Sequence, residues 1–264
     1  MAESLLELRE LSLGFGGVRA LDRVSLEVRK GELFALIGPN GAGKTSILNC
    51  ISGLYRPQAG SVALRGRDGE RHRLERLPPH RRAELGLART FQNIELFKHM
   101  TVLDNLLLGR HAHMPGGVLS GGLFLPSQRR AEIAHRAVAE EILDFLGLEA
   151  LRNREVGSLA HGRQRLVELA RALAADPVLL MLDEPTAGMN AEEKESMARF
   201  ILDVNEERDV TVLVIDHDID VVMDISDRVA VMDFGRKIAE GPPGEVRSEP
   251  AVIDAYLGRA KADA

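Results

Sequence analysis

Leu33-Phe34-Ala35-Leu36-Ile37-Gly38-Pro39-Asn40-Gly41-Ala42-Gly43-Lys44-Thr45-Ser46 is the stretch on which the fold turns. Its first five residues read as a buried strand, and Gly38 to Thr45 fit G-x-x-x-x-G-K-[ST] without a mismatch. Downstream, Ile47, Leu48 and Ile51 recur at helical spacing, and Gly53 supplies a stop. Strand, glycine-rich turn and helix in this order make a phosphate cradle. The glycines let backbone N–H groups curl around an anion, and the helix N-terminus adds partial positive charge. Lys44 can reach the β- and γ-phosphates of a nucleotide, and the Thr45 hydroxyl can ligate Mg²⁺. The candidate nucleotide-binding residues here are Gly38, Pro39, Asn40, Gly41, Ala42, Gly43, Lys44, Thr45 and Ser46.

The 264 residues leave room for one large α/β domain or a core with a subdomain. With 34 basic against 40 acidic residues the net charge is −6, so no nucleic-acid partner is expected. Hydrophobic content of 45% is that of an ordinary globular protein with a sizeable core. No apolar run approaches the roughly 18–20 residues that cross a bilayer. Met1-Ala2-Glu3-Ser4 has no basic-then-apolar signal, so a cytosolic chain able to dock on a membrane partner is expected. Cys50, the single cysteine, excludes an internal disulfide and reads as a small core residue of the helix after the loop.

Residues 5–37 read as short strands around turns at Gly16-Gly17 and Lys30-Gly31, with Leu5–Leu8 and Val24–Val28 as the strand-like runs. Val178–Leu182, Val210–Ile215 and Val229–Met232 are continuous apolar runs, as parallel strands covered on both faces require. Across 93–160 helical periodicity takes over, with Ile133, Ala137, Ile142, Phe145 and Leu146 as its markers, which predicts an inserted helical subdomain. The glycine-rich, apolar stretch 116–126 is either a contact surface or a flexible insertion. Seven arginines in 65–82 read as a solvated charged face.

Leu179-Leu180-Met181-Leu182-Asp183-Glu184-Pro185 is an apolar strand ending in acids, expected to lie beside the phosphate-loop strand. Asp183 would face magnesium through water, and Glu184 would polarise the water attacking the γ-phosphate. The order of these motifs resembles the ATP-binding subunit of ATP-binding-cassette (ABC) transporters over nearly the whole chain. That resemblance makes Gln92, in Thr90-Phe91-Gln92-Asn93, a contact for magnesium and the attacking water. It makes His217 the residue that holds the γ-phosphate, and it puts Ala187-Gly188-Met189-Asn190 in the place of the family's D-loop. Phe15 lies where an aromatic side chain stacks on adenine, unless it is a core residue of a short strand.

The family's signature resembles Leu159-Ala160-His161-Gly162-Arg163-Gln164, with Ala160 where serine is usual. The resemblance implies that this segment caps the ATP of a second subunit, so Leu159, Ala160, His161, Gly162, Arg163 and Gln164 join the candidate nucleotide-binding residues. Loss of the serine hydroxyl should cost one hydrogen bond to a charged group, on the order of 1.5–3 kcal/mol. The signature, the insertion 110–130, Ile225–Val229 and the ending Val252–Gly258 are similar to LivG-type subunits of branched-chain amino-acid importers. Such subunits imply a LivF-type sister ATPase, two transmembrane permease subunits and, indirectly, a periplasmic solute-binding protein.

The fold expected is a P-loop NTPase core of the ABC type, with a mostly parallel sheet, an N-terminal antiparallel β subdomain and an inserted helical subdomain. Residues 1–92 and 161–264 are assigned to the core, and 93–160 to the helical part with its insertion 110–130. Glu184, His217, Gln92 and Lys44 are the expected catalytic residues; Thr45, Gln92 and Asp183 are the expected metal contacts. ATP and Mg²⁺ are the expected cofactors, at the cytoplasmic face of the inner membrane. Ile94, Leu96 and Phe97 are expected to form an apolar seat for a permease helix. Two readings keep the same core motifs: the ATPase of a lipid or lipopolysaccharide exporter, and a soluble non-transport ABC protein.

Overall fold

The computed structural model describes residues 3–111 and 126–260, so most of the 110–130 insertion and all but the last residue of the glycine-rich stretch lie outside the described residues. Two compact units are present, one from residues 1–92 and 178–264 and the other from residues 93–177.

The first unit opens with two long strands, β1 (Ser4–Phe15) and β2 (Val18–Arg29), joined by the turn at Gly16-Gly17. The short strand β3 (Leu33–Ile37) is fully buried and runs into the phosphate loop and α1 (Lys44–Ser52). Then come β4 (Ala59–Arg65), β5 (Arg71–Arg73), α2 (Pro79–Glu84) and β6 (Leu87–Arg89). The second unit holds α3 (Val102–Gly109), α4 (Pro126–Phe145) and α5 (His161–Ala174). Back in the first unit are β7 (Leu179–Asp183), α6 (Ala191–Arg208), β8 (Thr211–Ile215) and α7 (Ile219–Ile225). The chain ends with β9 (Arg228–Asp233), β10 (Arg236–Gly241), α8 (Pro243–Arg247) and α9 (Pro250–Ala260).

Two sheets form, an antiparallel one in the order β2-β1-β4-β5 and a second in the order β10-β9-β3-β8-β7-β6. The second is parallel throughout except for its β10 edge, which pairs antiparallel with β9. Its inner strands are buried on both faces, which is why they read as unbroken apolar runs. The strand order corrects one expectation. The acidic strand β7 does not lie beside β3, because β8 pairs with both of them, Leu33 opposite Val212 and Asp183 opposite Ile215. The crossover through α6 returns the chain to β7's own flank, the usual result for consecutive parallel strands.

The arginine-rich stretch is also more than a solvated face. Arg65 and Arg73 pair with Glu3 and Glu75 at 3.0 and 2.7 Å, but Arg82 is buried. Its guanidinium donates to the Cys50 and Ile51 carbonyls, each at 2.7 Å, and to the Leu77 carbonyl at 2.9 Å. The Cys50 and Ile51 carbonyls are unmatched ones at the end of α1, whose dipole favours a cation there. Gly53, at φ 89°, turns the chain away, and a Cβ on it would meet Arg82 Cζ at 2.8 Å. Arg82→Met is therefore expected to lower unfolding free energy by about 3 kcal/mol in a urea titration.

Cys50 is fully buried, as its helical position required, and burial pushes its thiol up to about 11. At pH 8 the group stays protonated and shielded, so the native protein should react with a thiol-specific dye only as fast as it unfolds. Labelling within seconds of mixing would contradict that placement.

In the second unit, the buried face of α4 is Ala139, Ile142 and Leu143, and Leu146 just past its end is buried with them. Ile133 is 60% exposed and Ala137 is exposed too, so only the C-terminal half of the expected stripe is core. On α5, Leu166, Leu169, Ala170 and Leu173 are buried as their spacing predicts, together with the ion pair Arg165–Glu168 at 3.2 Å.

Candidate active site

The phosphate loop leaves β3 through Gly38, at φ 146°, where a Cβ would come within 2.2 Å of the Met232 carbonyl oxygen. Gly43, at φ 104°, is the N-cap of α1, and no side chain caps it. A Cβ on Gly43 would approach the Ala20 carbonyl to 2.7 Å. Only glycine fits these two positions, and the uncapped first turn keeps its N–H groups for an anion. Lys44 is buried, and its Nζ donates to the carbonyls of Gly38 at 2.6 Å and Pro39 at 3.1 Å. A cation curled back over a ring of backbone donors is the donor set that a triphosphate requires.

The carboxyl ends of β7 and β8 supply the acids and the histidine. Asp183 is 2% exposed at the end of β7. Glu184 follows at φ 51°, and its N–H donates to the Ile215 carbonyl at 2.7 Å. That left-handed residue ends the strand and turns the two neighbouring acids apart, one inward and one toward solvent. The Glu184 carboxylate collects the other predicted groups. Gln92 Nε2 donates to its Oε2 at 3.1 Å, and His217 Nδ1 lies 3.8 Å from the same oxygen. Residues more than 90 positions apart in sequence are thus brought within contact.

Asp216 does not figure among the predicted site residues, yet it builds the turn that carries His217. It is 1% exposed, accepts from the backbone N–H groups of His217 and Asp218 at 2.7 and 3.0 Å, and takes the Thr186 hydroxyl at 2.6 Å. A buried carboxylate at the end of an apolar strand is a signal that could have marked it. Asn190 serves as the N-cap of α6 in a capping box with Glu193. Phe15 is 48% exposed and makes an edge-to-face contact with Tyr55, their ring centroids 5.1 Å apart. An exposed ring of this kind is free to offer a face to a planar base, and it is not a core phenylalanine. Tyr256, half-buried on α9, takes a hydrogen bond from the Gly38 N–H, and burial pushes its hydroxyl up to about 12.

The signature residues belong to the second unit. Ala160 is the N-cap of α5 without a side-chain bond, and His161, Gly162, Arg163 and Gln164 form its first turn. Gln164 returns its amide to the Leu159 carbonyl at 2.8 Å, fixing the entry to the helix. Among the described residues no cluster of three or more His, Cys, Asp or Glu could hold a metal by itself.

A family model described as "ABC transporter" matches residues 21–187, and one described as "Branched-chain amino acid ATP-binding cassette transporter" matches residues 236–262. The chain is 44% identical over 260 residues to the high-affinity branched-chain amino acid transport ATP-binding protein LivG of Salmonella typhimurium, covering 98% of this chain and 100% of the relative. It is 42% identical to the corresponding BraF protein of Pseudomonas aeruginosa, with the same coverage. A nucleotide-free ATP-binding cassette from an ABC transporter superposes with a TM-score of 0.81 at 33% identity, over 96% of this chain and 98% of that one. The ADP conformation of an ABC transporter cassette gives the same score and identity over 97% and 99%. With this agreement of sequence, fold and phosphate-loop chemistry, the chain belongs to the ABC transporter family, as an ATP-binding and ATP-hydrolysing cassette of its LivG-type branch.

Proposed function

We propose that the chain is the motor subunit of an importer for branched-chain amino acids or closely related small solutes. It works in a pair with a LivF-type sister ATPase, docked peripherally on two transmembrane permease subunits that a periplasmic binding protein supplies with solute. Among the described residues no helix is long and apolar enough to cross a membrane. The observation that carries the catalytic half of this reading is the contact of Gln92 and His217 with one oxygen of Glu184, at 3.1 and 3.8 Å.

In this reading the loop Gly38–Ser46 binds the triphosphate and Phe15 stacks on the adenine. Lys44 and His217 hold the γ-phosphate, and Glu184 polarises the attacking water. Thr45, Gln92 and Asp183 would hold Mg²⁺ together with nucleotide oxygens, and the ion would neutralise charge developing on the phosphoryl group. Leu159–Gln164 cap the sister subunit's ATP. Closure of the pair on two nucleotides and its opening after hydrolysis drive the permeases. Of the three residues expected to seat a permease helix, Leu96 is buried, which leaves Phe97, 57% exposed, and the half-buried Ile94 as its apolar part.

The test is reconstitution of the chain with its sister ATPase and permeases in vesicles. Leucine-loaded binding protein should accelerate phosphate release. No acceleration with leucine, isoleucine or valine would remove the proposed solute, and no Mg-ATP hydrolysis at all would remove the motor role. Ala160→Ser adds the missing hydroxyl and a side-chain cap for α5, so ATP-driven pairing measured by light scattering should tighten roughly tenfold. An unchanged midpoint would place the signature outside the interface.

A further inference from the structure

Arg89, on the edge strand β6, reaches both the acidic strand and the phosphate-loop helix. Its side chain is 6% exposed, and its Nη2 donates to Asp183 Oδ2 at 2.8 Å. Its Nη1 donates to Asn49 Oδ1 at 2.7 Å and to Ser52 Oγ at 2.9 Å, both on α1. The Phe91 ring covers the guanidinium, with Cζ 4.9 Å from the ring centroid. Arg89 and Asp183 sit on adjacent strands, and Thr90 Oγ1 accepts from the Asp183 N–H at 3.3 Å.

We infer that Arg89 is a positioning residue for the magnesium site: it fixes the orientation of the Asp183 carboxylate and ties it to the helix that carries Thr45. This rests on the reading that Asp183 and Thr45 face the metal. The physical case comes from burial and geometry together. A carboxylate only 2% exposed needs a partner charge, and a planar guanidinium supplies two directed N–H groups in one rigid plane. One of those groups sets the Asp183 oxygen, and the other is anchored on α1, so β7 and α1 cannot shift independently. Two of the three expected metal contacts, Thr45 and Asp183, lie on these two elements, and outer partners of metal-holding groups govern affinity by keeping those groups in place. A lysine at position 89 would keep the charge, but its single ammonium cannot reach all three acceptors in the fixed geometry of the fork.

The experiment is a Mg²⁺ titration of fluorescent-ATP binding to the full chain, with each nucleotide affinity also measured in EDTA. Arg89→Lys holds the charge constant and removes the fork. Asn49→Ala combined with Ser52→Ala keeps Arg89 and its Asp183 contact but cuts the anchor on α1. Both variants should need roughly ten- to a hundredfold more Mg²⁺ for half of the metal-dependent gain in binding. Their affinity in EDTA should equal that of the parent chain. The proposal is overturned if the folded variants titrate with Mg²⁺ like the parent, or if EDTA affinity falls in parallel, which is the mark of a packing role alone. If Arg89→Lys does not fold, the double variant decides the matter by the same two measurements. A parent chain whose nucleotide binding ignores Mg²⁺ would instead overturn the metal-site reading beneath the inference.

Discussion

The Glu184→Gln variant is expected to bind ATP as the parent chain does and to lose roughly 10²–10⁴ of its turnover, the range a single general base contributes. The substitution keeps size and shape while removing the carboxylate charge. Gln92 can still donate to the new side-chain oxygen, so the 3.1 Å contact that positions both groups survives. The backbone at Glu184 is also undisturbed, because its φ of 51° and its N–H bond to Ile215 do not depend on the side chain's charge. Binding resides in the loop at the end of β3, on the far side of β8, and should be unaffected. What is lost is the group able to draw a proton from the attacking water. Phosphate release and fluorescent-nucleotide binding, measured on one preparation, separate the two effects. Turnover within a factor of two of the parent would take Glu184 out of the chemistry.

Lys44→Ala is expected to act on binding itself. Its ammonium is buried and points to the Gly38 and Pro39 carbonyls, at the mouth of the loop that wraps the phosphates. Removing one charge-assisted bond to a phosphate costs on the order of 1.5–3 kcal/mol, so nucleotide Kd should rise roughly ten- to a hundredfold. The backbone N–H groups of the loop remain, which is why weak binding should persist. A nucleotide titration of the variant, with its melting curve checked against the parent, makes the measurement. Parent-like affinity would mean that the phosphates sit elsewhere.

Much of the site is local in sequence and therefore legible there. Gly38 and Gly43 are legible through their spacing within one continuous loop, although the carbonyls that crowd them, Met232 and Ala20, come from distant segments. The apolar runs before Gly38, Asp183 and Asp216 announce buried parallel strands by composition alone. Other features are set by where distant segments meet. Nothing in 65–82 distinguishes Arg82 from its six neighbours, yet it alone closes the end of α1, because α2 carries it under that helix. Arg89 lies in an ordinary Leu-Ala-Arg run, and only the pairing of β6 with β7 puts its guanidinium on Asp183. Ile133 keeps the helical rhythm of α4 but finds no partner surface among the described residues to bury it.

From sequence alone, then, came the phosphate loop, the parallel α/β core and the kinship with transporter ATPases, since each is written in short-range spacing of glycines, apolar residues and acids. Tertiary structure alone decided that β8 separates the loop strand from the acidic strand, that Gln92 and His217 converge on Glu184, and that arginines close the gaps between elements. The physical reason is the same in each case. Strand order and side-chain partners are settled by the burial and hydrogen-bond satisfaction of the whole chain, which no window of neighbouring residues contains.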